Sequence, residues 1–323
     1  MNTASRFLLC AFFTAHAGCG GSSATENPPP AGSEPVPEAS TPVASGSDAS
    51  DGATVVDRSL VVDATEDARP DFSPGFDSSD RPGWVLTWSD EFDGPAGTLP
   101  DPTKWGYDLG GGGWGLMQLQ TYTSDAANAS LDGRGNLTIN ALTDPLVRYT
   151  SARLKTQGKF EQQFGRFEMR AVLPGGLGLW PAFWMLGNNF PATRWPNCGE
   201  VDIMENRSRE PTINHGSLHG PGYSGNMPLT AAYTLSGGAT FSSDFHVFAI
   251  EWELNVVRFY VDDALYETRS PADLPTQVWV YDHPFFILLN VAVGGGFAGN
   301  PDATTVFPQT MIVDYVRVYS RPM

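Results

Sequence analysis

From Trp84 to the C-terminus, apolar residues recur in short alternating runs separated by Gly, Pro, Asn and Asp, as in Arg166–Val172 (RFEMRAV), Val247–Glu253 (VFAIEWE) and Met311–Tyr319 (MIVDYVRVY). Alternation places successive side chains on opposite faces of a strand, and no long helical period competes with it. The segment VVRFYVDDALYETR predicts a hairpin that turns near Asp262-Asp263-Ala264. Residues 81–323 therefore predict one all-β domain, a sandwich of two stacked antiparallel sheets. No internal repeat interrupts it.

The first eighty residues follow another pattern. Arg6, the apolar run FLLCAFFTA and the small residues after it have the layout of a secretory signal over residues 1–19. Two processing outcomes compete, cleavage after Ala15-His16-Ala17 and lipid attachment at Cys19 within HAGCGG, which resembles a bacterial lipobox. The expected location is extracellular or lipid-anchored at the cell envelope, and a lipid on Cys19 is the only expected membrane contact. Residues 20–80 are rich in Pro, Ser, Ala and acids and lack the apolar period a core requires, so they read as a disordered linker.

Charge changes the picture less than its size suggests. The formal net charge is −17, yet Ala24–Asp80 holds 12 Asp or Glu against 2 Arg. Acidity thus belongs mainly to the linker and says little about a substrate. No basic stripe is present, which argues against nucleic acid. Of three cysteines, Cys10 and Cys19 lie in or at the end of the signal, leaving Cys198 without a partner and no disulfide framework. Cys198 reads as a packed neighbour rather than a nucleophile.

The candidate chemistry lies in CGEVDIMEN, Cys198–Asn206. Glu200 and Asp202 share a strand face, whereas regular alternation would turn Glu205 away. A β-bulge at Ile203-Met204 would bring Glu205 back to their side. Three crowded carboxylates cannot all ionise readily, so one is held protonated while another stays anionic, as retaining glycoside hydrolysis requires. The plainer reading is a solvated acidic strand face. The nearby Trp180, Trp184 and Trp195 weigh against it, because aromatic faces stack on pyranose rings.

With these residues placed, the chain resembles the family 16 glycoside hydrolases, most closely the laminarinase-like endo-β-1,3-glucanases. The likeness runs in order through WSDEFDG, GGGWG, GRFEMR, LWPAFWML, CGEVDIMEN, HGSLHGPGYSG, DHPFFILLNVAVGG and VDYVRVY. It implies a β-jelly-roll with a concave cleft for a β-glucan polysaccharide; no organic cofactor is expected, and the expected state is a monomer. Glu200 would be the nucleophile, Glu205 the general acid/base, and Asp202 the group that orients and tunes the pair. Trp180 and Trp184 would stack on sugars, with His219 and Asn290 facing the cleft. His215 and His219 have the spacing of a helical zinc pair, but the glycines beside them oppose a helix.

The resemblance also implies a structural Ca²⁺ held by Glu91, the backbone oxygen of Gly135, and Asp314. Strand alternation separately groups Asp314 with Ile312, Val316 and Val318, so a core-directed carboxylate would need a counter-charge, either that ion or an arginine. Two departures affect the substrate. Leu116-Met117-Gln118 stands where laminarinase-like members usually carry Asn-Asn-Glu, and Phe297 stands where relatives often have tryptophan at a distal subsite. Mixed-linkage β-1,3-1,4-glucanase and transglycosylase activities remain alternatives on the same scaffold. A non-catalytic glucan-binding protein is the alternative from another class.

Overall fold

The structure is a computed structural model that describes residues 81–322. The expected signal, the lipobox Cys19 and the linker lie outside the described residues. In chain order the strands are β1 (Val85–Asp90), β2 (Gly106–Tyr107), β3 (Gln120–Tyr122), β4 (Ala129–Leu131), β5 (Leu137–Asp144) and β6 (Arg148–Ser151). Next come β7 (Arg153–Lys155), β8 (Gly165–Val172), β9 (Leu179–Gly187), β10 (Glu200–Glu205), β11 (Ile213–His219) and β12 (Leu229–Thr234). The last are β13 (His246–Glu253), β14 (Val256–Val261), β15 (Ala264–Arg269), β16 (Phe285–Val293) and β17 (Gln309–Ser320).

They form two sheets of a β-jelly-roll. One has seven strands in the order β12-β11-β10-β9-β16-β7-β2. The other has ten, following β15-β14-β13-β8-β17-β5-β6-β3, with β1 also paired to β17 and β4 to β5. The chain crosses between the sheets several times, so β16 lies beside β9 and β17 beside β8, and residues far apart in the chain meet. The β14–β15 hairpin turns at Asp262 and Asp263, both with positive φ (49° and 62°), a pair of left-handed residues that suits the twist of the flanking strands. The expected all-β sandwich and its hairpin are therefore present.

The core lies between the sheets. Val201, Ile203 and Met204 of β10, Phe183 and Met185 of β9, and Ile287, Leu289 and Val291 of β16 point into it, meeting Phe167, Met169, Val316 and Val318 from the opposite sheet. β9 and β16 are buried on their other face as well. There Leu186, Cys198, Phe286 and Leu288 make one small apolar cluster, while Trp180, Ala292 and Ala298 make another. These satellite clusters stiffen the face that carries the site.

The structure corrects the reading of Asp314. The β17–β8 register shifts between Val313 and Tyr315, so the alternation changes phase at Asp314. Val316 and Val318 enter the core, but the Asp314 side chain is 34% exposed and meets Arg170 Nη1 at 2.6 Å. Its counter-charge is an arginine. Glu91 is likewise engaged, with Arg317 Nη2 at 2.7 Å and Nε at 2.9 Å. Gly135 does lie near the backbone oxygen of Glu91, within 3.9 Å of where a Cβ would sit. The two carboxylates assigned to calcium are thus already paired with guanidinium groups, and as placed they do not fit an oxygen cage around a cation.

Candidate active site

The three carboxylates reach one face because β10 is bulged. Asp202 pairs with Trp184 of β9 and Met204 with the adjacent Phe183, so Ile203 is the extra residue. Against β11, Asp202 faces Ser217 and Glu205 faces His215, again three steps against two. Ile203 and Met204 are both fully buried. The same irregularity that sinks two consecutive apolar side chains returns Glu205 to the side of Glu200 and Asp202, as the sequence spacing required.

Across the strands, His219 lies opposite Glu200 and His215 opposite Glu205. His219 Nε2 is 3.1 Å from Asp202 Oδ2 and 3.8 Å from Glu200 Oε1. On the β9 side, Trp180 Nε1–H donates to Glu205 Oε1 at 2.9 Å. Trp180 is only 8% exposed. It therefore braces a carboxylate with its polar edge, and its expected role as an open stacking platform is not what this geometry favours. Trp184 is half-buried and donates from Nε1 to Oδ1 of the buried Asn290 at 2.8 Å. Trp195, 43% exposed, lies on the loop between β9 and β10 with its ring 6.2 Å from that of His219.

Burial governs the electrostatics. Desolvation, and next the charge of Asp202, push Glu200 and Glu205 up to about 8 from an ordinary 4.5. The His219 ring opposes this for both, and the Trp180 hydrogen bond and Arg207 oppose it for Glu205. Desolvation also raises Asp202 well above the usual carboxylate range. All three carboxyls thus hold a proton more tightly than free ones, and a site in which they compete for charge can offer one carboxyl as an acid and another carboxylate as a nucleophile.

Glu200, Asp202 and His219 present ligand atoms within 4.8 Å of one another, so this acidic cluster also has the donor spacing for a cation. The zinc pairing of His215 with His219 fails on geometry. They lie four residues apart on one strand, roughly 13 Å along its axis. His215 instead faces Arg207 and Glu210. Cys198 is buried, its thiol pushed up to about 11 by desolvation and by Glu200, which leaves it an inert packing residue.

Several residues near the site were not anticipated. Arg153 of β7 stacks on both Trp184 and Trp114, at 4.6 and 4.8 Å from the ring centroids, and pairs with Asp108 at 3.0 Å. Arg207 lies over Phe297 at 4.8 Å. Phe297, expected at a distal subsite, instead packs on Trp180 at 4.8 Å, one side chain away from Glu205. An arginine between two tryptophans separated by so much chain leaves no local pattern to read. Gln118 spends its Oε1 on Gln120, while Leu116 and Met117 are 40% and 77% exposed, so this stretch presents apolar surface.

Paired carboxylates with raised affinity for protons, set among tryptophans on one open sheet face, define a glycoside-cleaving enzyme. Residues 118–317 match the family description "Glycosyl hydrolases family 16". The chain is 43% identical over 263 residues to a beta-glucanase of Rhodothermus marinus, covering 76% of this chain and 88% of that one. Among solved structures it is similar to the laminarinase catalytic domain of Thermotoga maritima, at 46% identity and a TM-score of 0.71, covering 74% of this chain and 99% of that one. It is also similar to an endo-beta-1,3-glucanase of Pyrococcus furiosus, at 47% identity and a TM-score of 0.69, covering 73% and 94%. This chain belongs to family 16 of the glycosyl hydrolases.

Proposed function

We propose that this protein is a retaining, endo-acting hydrolase of β-1,3-glucan, with Glu200 as nucleophile, Glu205 as general acid/base and Asp202 as the group that tunes them. The observation that carries the roles is the bulge in β10, which sets Glu200, Asp202 and Glu205 on one face with Trp180 bonded to Glu205. The relatives' β-glucanase and laminarinase activities support the substrate class.

In the first step a Glu200 carboxylate oxygen bonds to the anomeric carbon as the glycosidic C–O bond breaks. The Glu205 proton goes to the departing oxygen. In the second, Glu205, now anionic, takes a proton from water, whose oxygen displaces the Glu200 ester and returns the reducing sugar. Burial first, and then the neighbouring Asp202 and His219, set how readily Glu200 is anionic. Trp184, Trp195 and Asn290 supply sugar-facing surface on the same reading. Export through residues 1–19 and a linker over residues 20–80 belong to this reading too, supported by the sequence pattern. Among the described residues no helix is long and apolar enough to cross a membrane.

A structural Ca²⁺ on Glu91, Gly135 and Asp314 rests on the family likeness and on the nearness of Gly135 to the Glu91 backbone oxygen. The arginine partners of both carboxylates weigh against it.

The exposed Leu116 and Met117 favour a second reading of the linkage, since apolar groups cannot select ring hydroxyls by hydrogen bonding. Reducing-sugar release on laminarin, curdlan, barley β-glucan, lichenan, cellulose and agarose, with Glu205→Gln as control, tests both. Activity on laminarin that the control lacks is expected. Activity confined to barley β-glucan and lichenan would move the substrate to mixed linkages. Binding to a polymer without turnover of any would make the protein a glucan-binding module.

A further inference from the structure

Trp180 can hold Glu205 only if its indole stays in one orientation, and the surroundings of Trp180 explain how it does. Its ring sits with Ala292 and Ala298 in an apolar cluster separate from the main core, on the face that carries the carboxylates. Phe297 closes that cluster, its ring 4.8 Å from the indole and tilted by 44°. Phe297 is itself held from other directions. The Arg207 guanidinium lies 4.8 Å from its ring centroid, and the His215 ring meets it edge-on at 5.7 Å. Arg207 is fixed in turn by Glu210 Oε2 at 2.7 Å.

The backbone beneath Phe297 is pinned as well. Gly296 N–H donates to Leu116 O at 2.9 Å, and Gly299 N–H donates to Gly295 O at 2.9 Å. Gly295 has φ of +95°, and a Cβ there would approach Leu116 O to 2.8 Å, so only glycine permits this close approach. The loop therefore presents the Phe297 ring at a fixed height above Trp180. The residues that break the usual polar pattern after GGGWG still serve through the Leu116 carbonyl, which anchors this loop.

We propose that Phe297 is a positioning residue for the acid/base Glu205, acting through the indole of Trp180. The proposal rests on the reading of Glu205 given above. An N–H donor stabilises the carboxylate more than the neutral acid, so a loosened Trp180 makes Glu205 harder to ionise. The groups that face Glu205 are Asp202 and Glu200 on its own strand, His215 and His219 on β11, Trp180 on β9, and Arg207 on the following segment with its partner Glu210. Of these, Phe297 touches Trp180, His215 and Arg207. A double-mutant cycle with Trp180→Phe, which deletes the indole donor, isolates the first path.

The experiment is a ¹³C NMR titration of glutamate side-chain carboxyls in the full chain, with the Glu205 resonance identified by its absence in Glu205→Gln. It is run alongside pH profiles of kcat/KM on laminarin. Phe297→Leu keeps apolar volume but removes the ring. It is expected to raise the Glu205 midpoint by about one pH unit and carry the alkaline limb of kcat/KM with it, and Phe297→Trp is expected to restore both. Trp180→Phe should reproduce the shift, and the double variant should exceed it by nothing. An unmoved midpoint in Phe297→Leu overturns the proposal, and so does a full additional shift in the double variant, which would route the effect through Arg207 or His215. A moved midpoint with an unmoved rate profile would uphold the positioning role and remove Glu205 as acid/base.

Discussion

Glu205 lets the cost of the site to the fold be measured. The residue is 9% exposed, and its carboxyl is pushed up to about 8, chiefly by desolvation. Because the folded value lies above the unfolded one, the fold prefers the protonated form. The stability this group contributes is complete below about pH 4.5 and is lost progressively as pH rises towards 8. Each pH unit of that interval is worth about 1.4 kcal/mol, so at pH 7 the native enzyme carries a penalty of at most ~3.5 kcal/mol. Part of it is shared with Asp202, whose charge is the second cause of the shift.

Glu205→Gln keeps the volume and an oxygen to accept the Trp180 N–H while removing the titration. At pH 7 the variant is expected to be more stable than the native protein by about 1–3 kcal/mol, which for a domain of this size raises Tm by roughly 2–10 °C. At pH 4 the two should coincide. Urea unfolding and thermal scans of both proteins at pH 4, 5.5, 7 and 8 give the comparison. The difference must open with rising pH. A variant equally stable or weaker at pH 7 and 8, or a constant gap at every pH, refutes the claim that burial of this carboxyl strains the fold.

Three further outcomes are expected. Glu200→Ala should lose turnover, and added azide should restore bond cleavage with formation of an α-glycosyl azide; a β-linked product would make Glu200 the acid/base and remove it as the nucleophile. Glu168 is fully buried on β8, with Arg81 Nε and Arg166 Nε at 2.7 and 2.8 Å, so Glu168→Ala should cost about 3 kcal/mol in urea unfolding by stranding those guanidinium groups. A loss under ~1 kcal/mol would mean that Asp263, which also pairs with both arginines, suffices. EDTA should leave Tm unchanged, since Glu91 and Asp314 have arginine partners. A drop reversed by added Ca²⁺ would return the cation to that site.

What the sequence could reveal follows from the range of each interaction. The strands, the β14–β15 turn and the β10 bulge are local, and each leaves a mark within a few residues: alternation, two aspartates in a row, or two apolar residues between carboxylates that must share a face. Asp314 shows the same logic failing. A register shift on β17 reversed the inferred face: Tyr315 and Val316 are both buried there, but apolar pairs also stand at Ile312-Val313 and Val318-Tyr319, so no one pair marks the shift, and the partner, Arg170, stands on another strand. Phe297 shows a second limit. By likeness its place suggested a distal sugar contact, because nothing in GGGFAGN encodes that Ala292, across the β16 end, is small enough to seat the indole of Trp180 beneath it. The carboxylates of this site were legible because all three lie on one strand, within six residues. The residues that tune them were not, because a carboxyl's proton affinity is fixed by whatever the whole fold packs against it, and here that includes a loop ninety-odd residues downstream.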